Sequence, residues 1–206
     1  EKTRLPVVGV VPYLKVDIED EDSLSERLQQ KNAVKPLDVA IVRLPHISNF
    51  TDFMPLEQHP LLGVRYVQAA RELGMPDLII LPGTKNTVND LLWLRQCGLE
   101  TAVQKLARRG TPVLGVCGGY QMLGGMLDDS AGTESGRPQT LRGLELLPTR
   151  TVFTLEKRRA QVTATAAAPF AGAALTGYEI HTGRTTVEGA PFCTLADGTP
   201  DGCVQG

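Results

Sequence analysis

Apolar residues fall along this chain in short blocks separated by polar loops, and the length and period of each block identify its element. Val39-Ala40-Ile41-Val42 and Leu78-Ile79-Ile80-Leu81 are unbroken apolar runs of strand length, the pattern of parallel strands covered on both faces. Pro112-Val113-Leu114-Gly115-Val116 reads as the strand that follows the helices, and Gly63-Val64-Arg65-Tyr66-Val67 alternates like a strand. Between them helical spacing appears at Val88, Leu91, Leu92 and Leu94, capped at Asn86 or Thr87. It returns through Leu99, Val103, Leu106 and Ala107 and is stopped by Gly110. Ser48 to Phe53 carries turn and capping residues around two aromatics and predicts a loop leading into a short helix. Strands alternating with helices predict an α/β fold: a mostly parallel sheet with helices on both faces and sites at the carboxyl ends of the strands. The turns at Gly83 and Cys117 both occupy that edge.

The flanking regions differ in character. Pro6 to Pro12 is strand-like, and the acidic run Asp17 to Asp22 repels itself into water, so residues 15–35 read as a surface linker with a short helix over Ser23 to Gln30. Asp128 to Thr140 is rich in Gly, Ser, Thr and charge without any period and reads as a mobile connection. Beyond it, Gln161 to Thr165, Tyr178 to Thr182 and Pro191 to Leu195 are short strand-like runs joined by glycines, which predict an antiparallel extension to the sheet.

Composition narrows the function classes. A chain of 206 residues, 42% hydrophobic and 21% charged, buries one substantial core. No apolar run approaches bilayer length, so no membrane partner is expected. Net charge is -2 and the basic residues are scattered, which argues against nucleic acid. Cys97, Cys117, Cys193 and Cys203 are irregularly spaced with no Cys-x-x-Cys pair or signal peptide, the expectation for reduced thiols in the cytoplasm.

The most specific feature is Gly115-Val116-Cys117-Gly118-Gly119-Tyr120-Gln121-Met122-Leu123-Gly124, set between a strand and a helix. Small residues on both sides of one reactive side chain are what a tight strand-to-helix turn requires. Such a turn lifts the sulfur to a helix N-terminus, where free N–H groups favour thiolate. It also predicts an oxyanion hole from the N–H of Gly118 and a second N–H from Gly83 in the neighbouring loop. The competing roles are a buried filler cysteine and a phosphate cradle; the Gly-x-x-x-x-Gly-Lys-Ser/Thr pattern of the latter is absent.

Pro82-Gly83-Thr84-Lys85-Asn86-Thr87 together with Gly115 to Gln121 resembles the glutamine amidotransferase domain of the cobyric acid synthase family, the CobB/CobQ-like branch of class I amidotransferases. Leu44 to Phe53 and Tyr178 to Gly183 strengthen the resemblance, which spans residues 36–206. Residues 1–14 look like the remnant of a preceding ATP-dependent synthetase domain. The resemblance implies that Cys117 attacks glutamine and that the released ammonia serves ATP-dependent amidation of adenosylcobyrinic acid a,c-diamide to adenosylcobyric acid. Partners are then glutamine and, through the synthetase domain, corrinoid carboxylates. No cofactor or metal is expected in this domain, ATP and magnesium belonging to the synthetase.

Residue roles follow from the same resemblance. Cys117 is the nucleophile, Gly83 and Gly118 the oxyanion donors, and Thr84, Tyr120 and Gln121 candidates for substrate binding, Gln121 equally for a helix-surface or capping role. His46 and Asn49 serve either loop geometry or substrate or interdomain contact, and His59 beside Pro60 reads as a surface residue. The family's base is a histidine in a Tyr-Leu-His-Gly-like segment, which does not occur among these residues, so the domain reads as truncated before that motif and the fragment as catalytically crippled. His181 is a candidate for support of the active-site wall or for catalysis. A Cys117-His181-Glu179 set looks weak, because Glu179 and His181 are separated by their own backbone. Alternatives are the glutaminase partner of another amidating ligase, an inactive interaction domain and a cysteine peptidase.

Overall fold

A computed structural model describes residues 35–206. The strand expected at Pro6 to Pro12, most of the linker and its helix lie outside the described residues. The first half is a four-stranded sheet in the order β2-β1-β3-β4, parallel throughout. Its strands are β1 (Leu37–Val42), β2 (Leu62–Val67), β3 (Leu78–Leu81) and β4 (Val113–Gly115). Val39 to Val42 and Ile79 to Leu81 are sealed from solvent, as continuous apolar strands demand.

A 3-10 turn (Phe50–Phe53) runs into α1 (Met54–Gln58), and α2 (Ala70–Leu73) follows β2. Helix α3 (Thr87–Gln96) starts where the Asn86 side chain accepts the Asn89 N–H at 3.1 Å, and it buries Val88, Leu91 and Leu94. Helix α4 (Leu99–Ala107) buries Leu99, Val103 and Leu106 and gives way to Gly110 at φ 93°. No helix among the described residues is long and apolar enough to cross a membrane.

Helix α5 (Gly118–Leu123) packs on β3 and β4 and also on β5 (Met126–Asp129) and β7 (Thr149–Ala166), and so ties the parallel sheet to a second one. That second sheet runs β10-β9-β7-β5-β6, with β8 (Ala174–Val187) on β7. It adds β6 (Gln139–Arg142), β9 (Cys193–Leu195) and β10 (Pro200–Asp201), antiparallel except where β5 meets β7. The antiparallel strands expected from the sequence are therefore present, but as a separate sheet whose main pair is far longer than the short runs predicted, 18 and 14 residues.

Residues 128–140 correct the expectation of an unstructured connection. Asp128 and Asp129 pair with Thr140 and Gln139, and the turn between them is wound on one carboxylate. The carboxylate of Asp129, 0% exposed, accepts from Thr133 Oγ1 (3.3 Å), Glu134 N (3.1 Å), Ser135 N (2.8 Å) and Ser135 Oγ (2.7 Å). Burial alone would raise its pKa; these hydrogen bonds outweigh burial and hold it below the ordinary value. Hydrogen bonds to a single side chain leave no apolar period, which is why the segment reads as featureless in one dimension.

Candidate active site

Cys117 stands between β4 and α5 at φ 50°, ψ -112°, a conformation that side chains rarely adopt. The backbone is held there from both sides: Val116 N–H donates to Leu81 O at 2.9 Å, and Gly119 N–H to Pro82 O at 3.1 Å. Glycine is obligatory at 119, since a Cβ would lie 2.0 Å from the Leu81 carbonyl oxygen. The predicted strand-to-helix turn is thus present, and Cys117 is exposed at its tip.

The loop after β3 closes on this turn. A Cβ at Gly83 would lie 3.7 Å from Cys117 Cβ, and one at Gly118 would lie 2.6 Å from Thr84 Cγ2 and 3.4 Å from Thr84 N. Cys117, Gly83, Gly118 and Thr84 are brought together. The Thr84 hydroxyl faces elsewhere, donating to Asp90 Oδ2 at 2.5 Å with the His46 carbonyl 3.1 Å away.

Asp90, which no pattern in the sequence singles out, organises this loop from a fully buried position in the first turn of α3. It accepts from His46 N at 3.2 Å and from His46 Nδ1 at 2.7 Å as well as from Thr84. Ser48 N–H donates to Gly83 O and Lys85 N–H to His46 O, each at 2.9 Å, so residues 46–48 and 83–85 form one pinned unit. The His46 imidazole, half exposed, thus links this unit to Asp90. Asn49, at φ 51°, shapes the entry to the 3-10 turn. His59 Nδ1 accepts the Leu61 N–H at 3.2 Å in an exposed turn.

The remaining candidates lie around the nucleophile. Gln121 is buried, its Oε1 accepting from Thr87 Oγ1 at 3.2 Å, with Nε2 against Gly183; it is not a helix-surface residue. The Tyr120 hydroxyl is buried without a hydrogen-bond partner among the described residues, and burial followed by the nearby Cys203 and Asp201 pushes its pKa up. On β8 the Cys117 thiol reaches the Ile180 carbonyl at 3.8 Å. Glu179 and His181 do pair, Oε1 to Nε2 at 2.9 Å, because alternate residues of a strand share a face. The other nitrogen, Nδ1, is 2.6 Å from the Gly183 carbonyl, and Arg158 Nε is 2.5 Å from Glu179 Oε2. Both His181 nitrogens thus lie within hydrogen-bonding distance of an oxygen, Glu179 Oε1 and the Gly183 carbonyl.

Glu134, carried by the Asp129 turn, brings a further carboxylate to bear on Cys117. Its Oε1 accepts the Thr87 N–H at the head of α3 at 2.7 Å, and Thr182 Oγ1 lies 3.5 Å from Oε2. A charge there suits the helix dipole. It also opposes ionisation of Cys117. Desolvation is the main influence raising that thiol above the ordinary 9.0, the Gly118 N–H lowers it, and Glu134 raises it again. The Gly118 N–H at the start of α5 favours the thiolate, while desolvation, the largest influence, and the charge of Glu134 oppose it. Alkylation of Cys117 by iodoacetamide, which follows the thiolate fraction, is expected to keep accelerating above pH 9. A plateau below about pH 8 would show the helix terminus prevailing.

Among the described residues no group of three or more His, Cys, Asp or Glu side chains is placed to hold a metal ion.

A parallel sheet flanked by helices, with a cysteine at a strand-to-helix turn, is an α/β arrangement shared with glutamine amidotransferases of known structure. The fold matches that of PurLQS from Thermotoga maritima with a TM-score of 0.57 and 17% identity, covering 82% of this chain and 78% of that one. It matches a further glutamine amidotransferase crystal structure with a TM-score of 0.57 and 16% identity, covering 79% of this chain and 82% of the other. At such identities the likeness is one of fold.

Within that class, the family model for the CobB/CobQ-like glutamine amidotransferase domain matches residues 38–206, and the chain belongs to this family of enzyme domains. A cobyric acid synthase of Ruminiclostridium cellulolyticum is 50% identical over 190 residues, 89% of this chain and 37% of that protein. One of Synechococcus elongatus is 47% identical over 190 residues, 91% of this chain and 38% of its own length. The chain thus spans little more than a third of the curated relatives it matches.

Proposed function

We propose that the chain hydrolyses glutamine and that the ammonia serves an ATP-dependent ligase of cobalamin synthesis, amidating the carboxylates of adenosylcobyrinic acid a,c-diamide. The observation that carries the glutaminase reading is Cys117 at φ 50° on its turn with Gly83 and Gly118 closing on it. The sulfur attacks the γ-carboxamide carbon, the N–H groups of Gly118 and Gly83 receive the developing oxyanion, and the C–N bond breaks as the nitrogen gains a proton and departs as ammonia. Water then hydrolyses the thioester to glutamate. Glu134, beside the thiol with Oε2 only loosely held, receives the α-ammonium of the substrate. The names of the relatives support the corrinoid ligase as the destination of the ammonia.

The thiol proton needs an acceptor. His181 serves the wall, since Glu179 and Gly183 occupy its two nitrogens, and the base is another group. Thr84 contributes its backbone and methyl to the site and Gln121 braces Thr87 against β8, so both shape the pocket from behind; Tyr120 lies near Cys203 and Asp201.

The test is covalent labelling by a glutamine-shaped chloroketone, L-2-amino-4-oxo-5-chloropentanoate. Mass spectrometry should find a single adduct on Cys117, formed with saturable kinetics and slowed by L-glutamine. Labelling spread over Cys97 and Cys203, without protection by glutamine, would remove the glutaminase reading.

A further inference from the structure

We propose that Asp129 is a positioning residue for glutamine recognition, its buried carboxylate setting the turn that delivers Glu134 to the substrate's ammonium. The proposal rests on the glutaminase reading. Asp129 lies at the end of β5, and its two oxygens gather donors from three consecutive residues, Thr133, Glu134 and Ser135. Its own carbonyl accepts the Gly132 N–H at 2.9 Å, closing the turn from the other side.

The middle residue of the three is the one used. Glu134 gives its N–H to Asp129, and its side chain projects to the Thr87 N–H on α3 and toward Thr182 on β8. The backbone of Glu134 is thus fixed by one carboxylate and its side chain by the opposite wall. Ser135 completes the clamp, its Oγ 2.7 Å from both Asp129 Oδ2 and Gln139 Nε2. Asp129 reaches substrate through Glu134 alone, for all four hydrogen bonds of its carboxylate end on this turn. An asparagine there would turn an amide NH2 toward N–H and O–H donors and release at least part of the turn.

The experiment is a double-mutant cycle on the intact protein. The readout is the preference of Cys117 for the amino chloroketone over 5-chloro-4-oxopentanoate, the same reagent without the amino group. This ratio isolates ammonium recognition from thiol reactivity and from general loosening of the site. Glu134→Gln is expected to lower the preference about 30-fold, the scale of a charge-assisted hydrogen bond. Asp129→Asn is expected to lower it about tenfold, and to have no further effect when Glu134→Gln is already present. Should Asp129→Asn fail to fold, Ser135→Ala removes one hydrogen bond of the clamp and is expected to lower the preference about threefold. Unchanged preference in the folded Asp129 or Ser135 variant, or losses that multiply with Glu134→Gln, would overturn the proposal while leaving the glutaminase reading standing. Absence of saturable labelling in the unaltered protein would overturn both.

Discussion

Cys117→Ala is expected to abolish glutamine-dependent amidation by the complete ligase while leaving ammonia-dependent amidation near its original rate. The loss should exceed about 10⁴-fold, because the thioester route disappears with the sulfur and no other nucleophile of this site takes its place. Alanine occupies φ 50° at much the same cost as cysteine, so the turn itself should persist. Gly118 and Gly83 would still line an oxyanion pocket with nothing to attack from it. The measurement is the rate of amide formation with glutamine and, separately, with ammonium salt as nitrogen source. Equal loss with both sources would mean that Cys117 holds the fold or the ligase contact rather than the chemistry.

Gly119→Ala should have the largest effect on stability. The new methyl group would meet Leu81 O at 2.0 Å and Pro82 O at 2.7 Å, both backbone atoms of the strand and loop that carry the glycine pocket. No rotamer relieves such a contact. The helix must move off β3, breaking the bonds from Val116 N–H to Leu81 O and from Gly119 N–H to Pro82 O that hold the turn. A cost of about 3 kcal/mol or more is expected, and with it a fall in melting temperature of roughly 6 °C or more for a chain of this size. Gly177→Ala is the control: its Cβ would meet nothing within 4 Å, and its effect should stay within about 0.5 kcal/mol. Denaturant midpoints for the two variants decide the matter, and indistinguishable values would contradict the packing of α5 against β3.

Sequence alone makes legible what neighbouring residues impose on one another. Continuous apolar runs place β1 and β3, helical spacing places α3 and α4 with β4 after them, and the glycines around Cys117 require the turn that is observed. Each of these signals is local: a period, a cap or a missing Cβ acts over a few residues and is written in consecutive letters. Gly83 is legible for the same reason, as a glycine ending an apolar strand.

Tertiary structure decides which polar groups meet. Asp90 and His46 are 44 residues apart, and Glu134 and Thr87 are 47 apart; a hydrogen bond across such a distance leaves no periodic trace. The turn at 129–135 carries no apolar period because its order comes from one buried carboxylate instead of an apolar face. Glu179 and His181 meet on one face of β8, where pairing with β7 gives Glu179 a second partner in Arg158. The state of the Cys117 thiol turns on the same kind of contact. The chain can say that cysteine stands at a helix N-terminus, but desolvation and the charge of Glu134, which act against the thiolate, depend on what the fold packs around it.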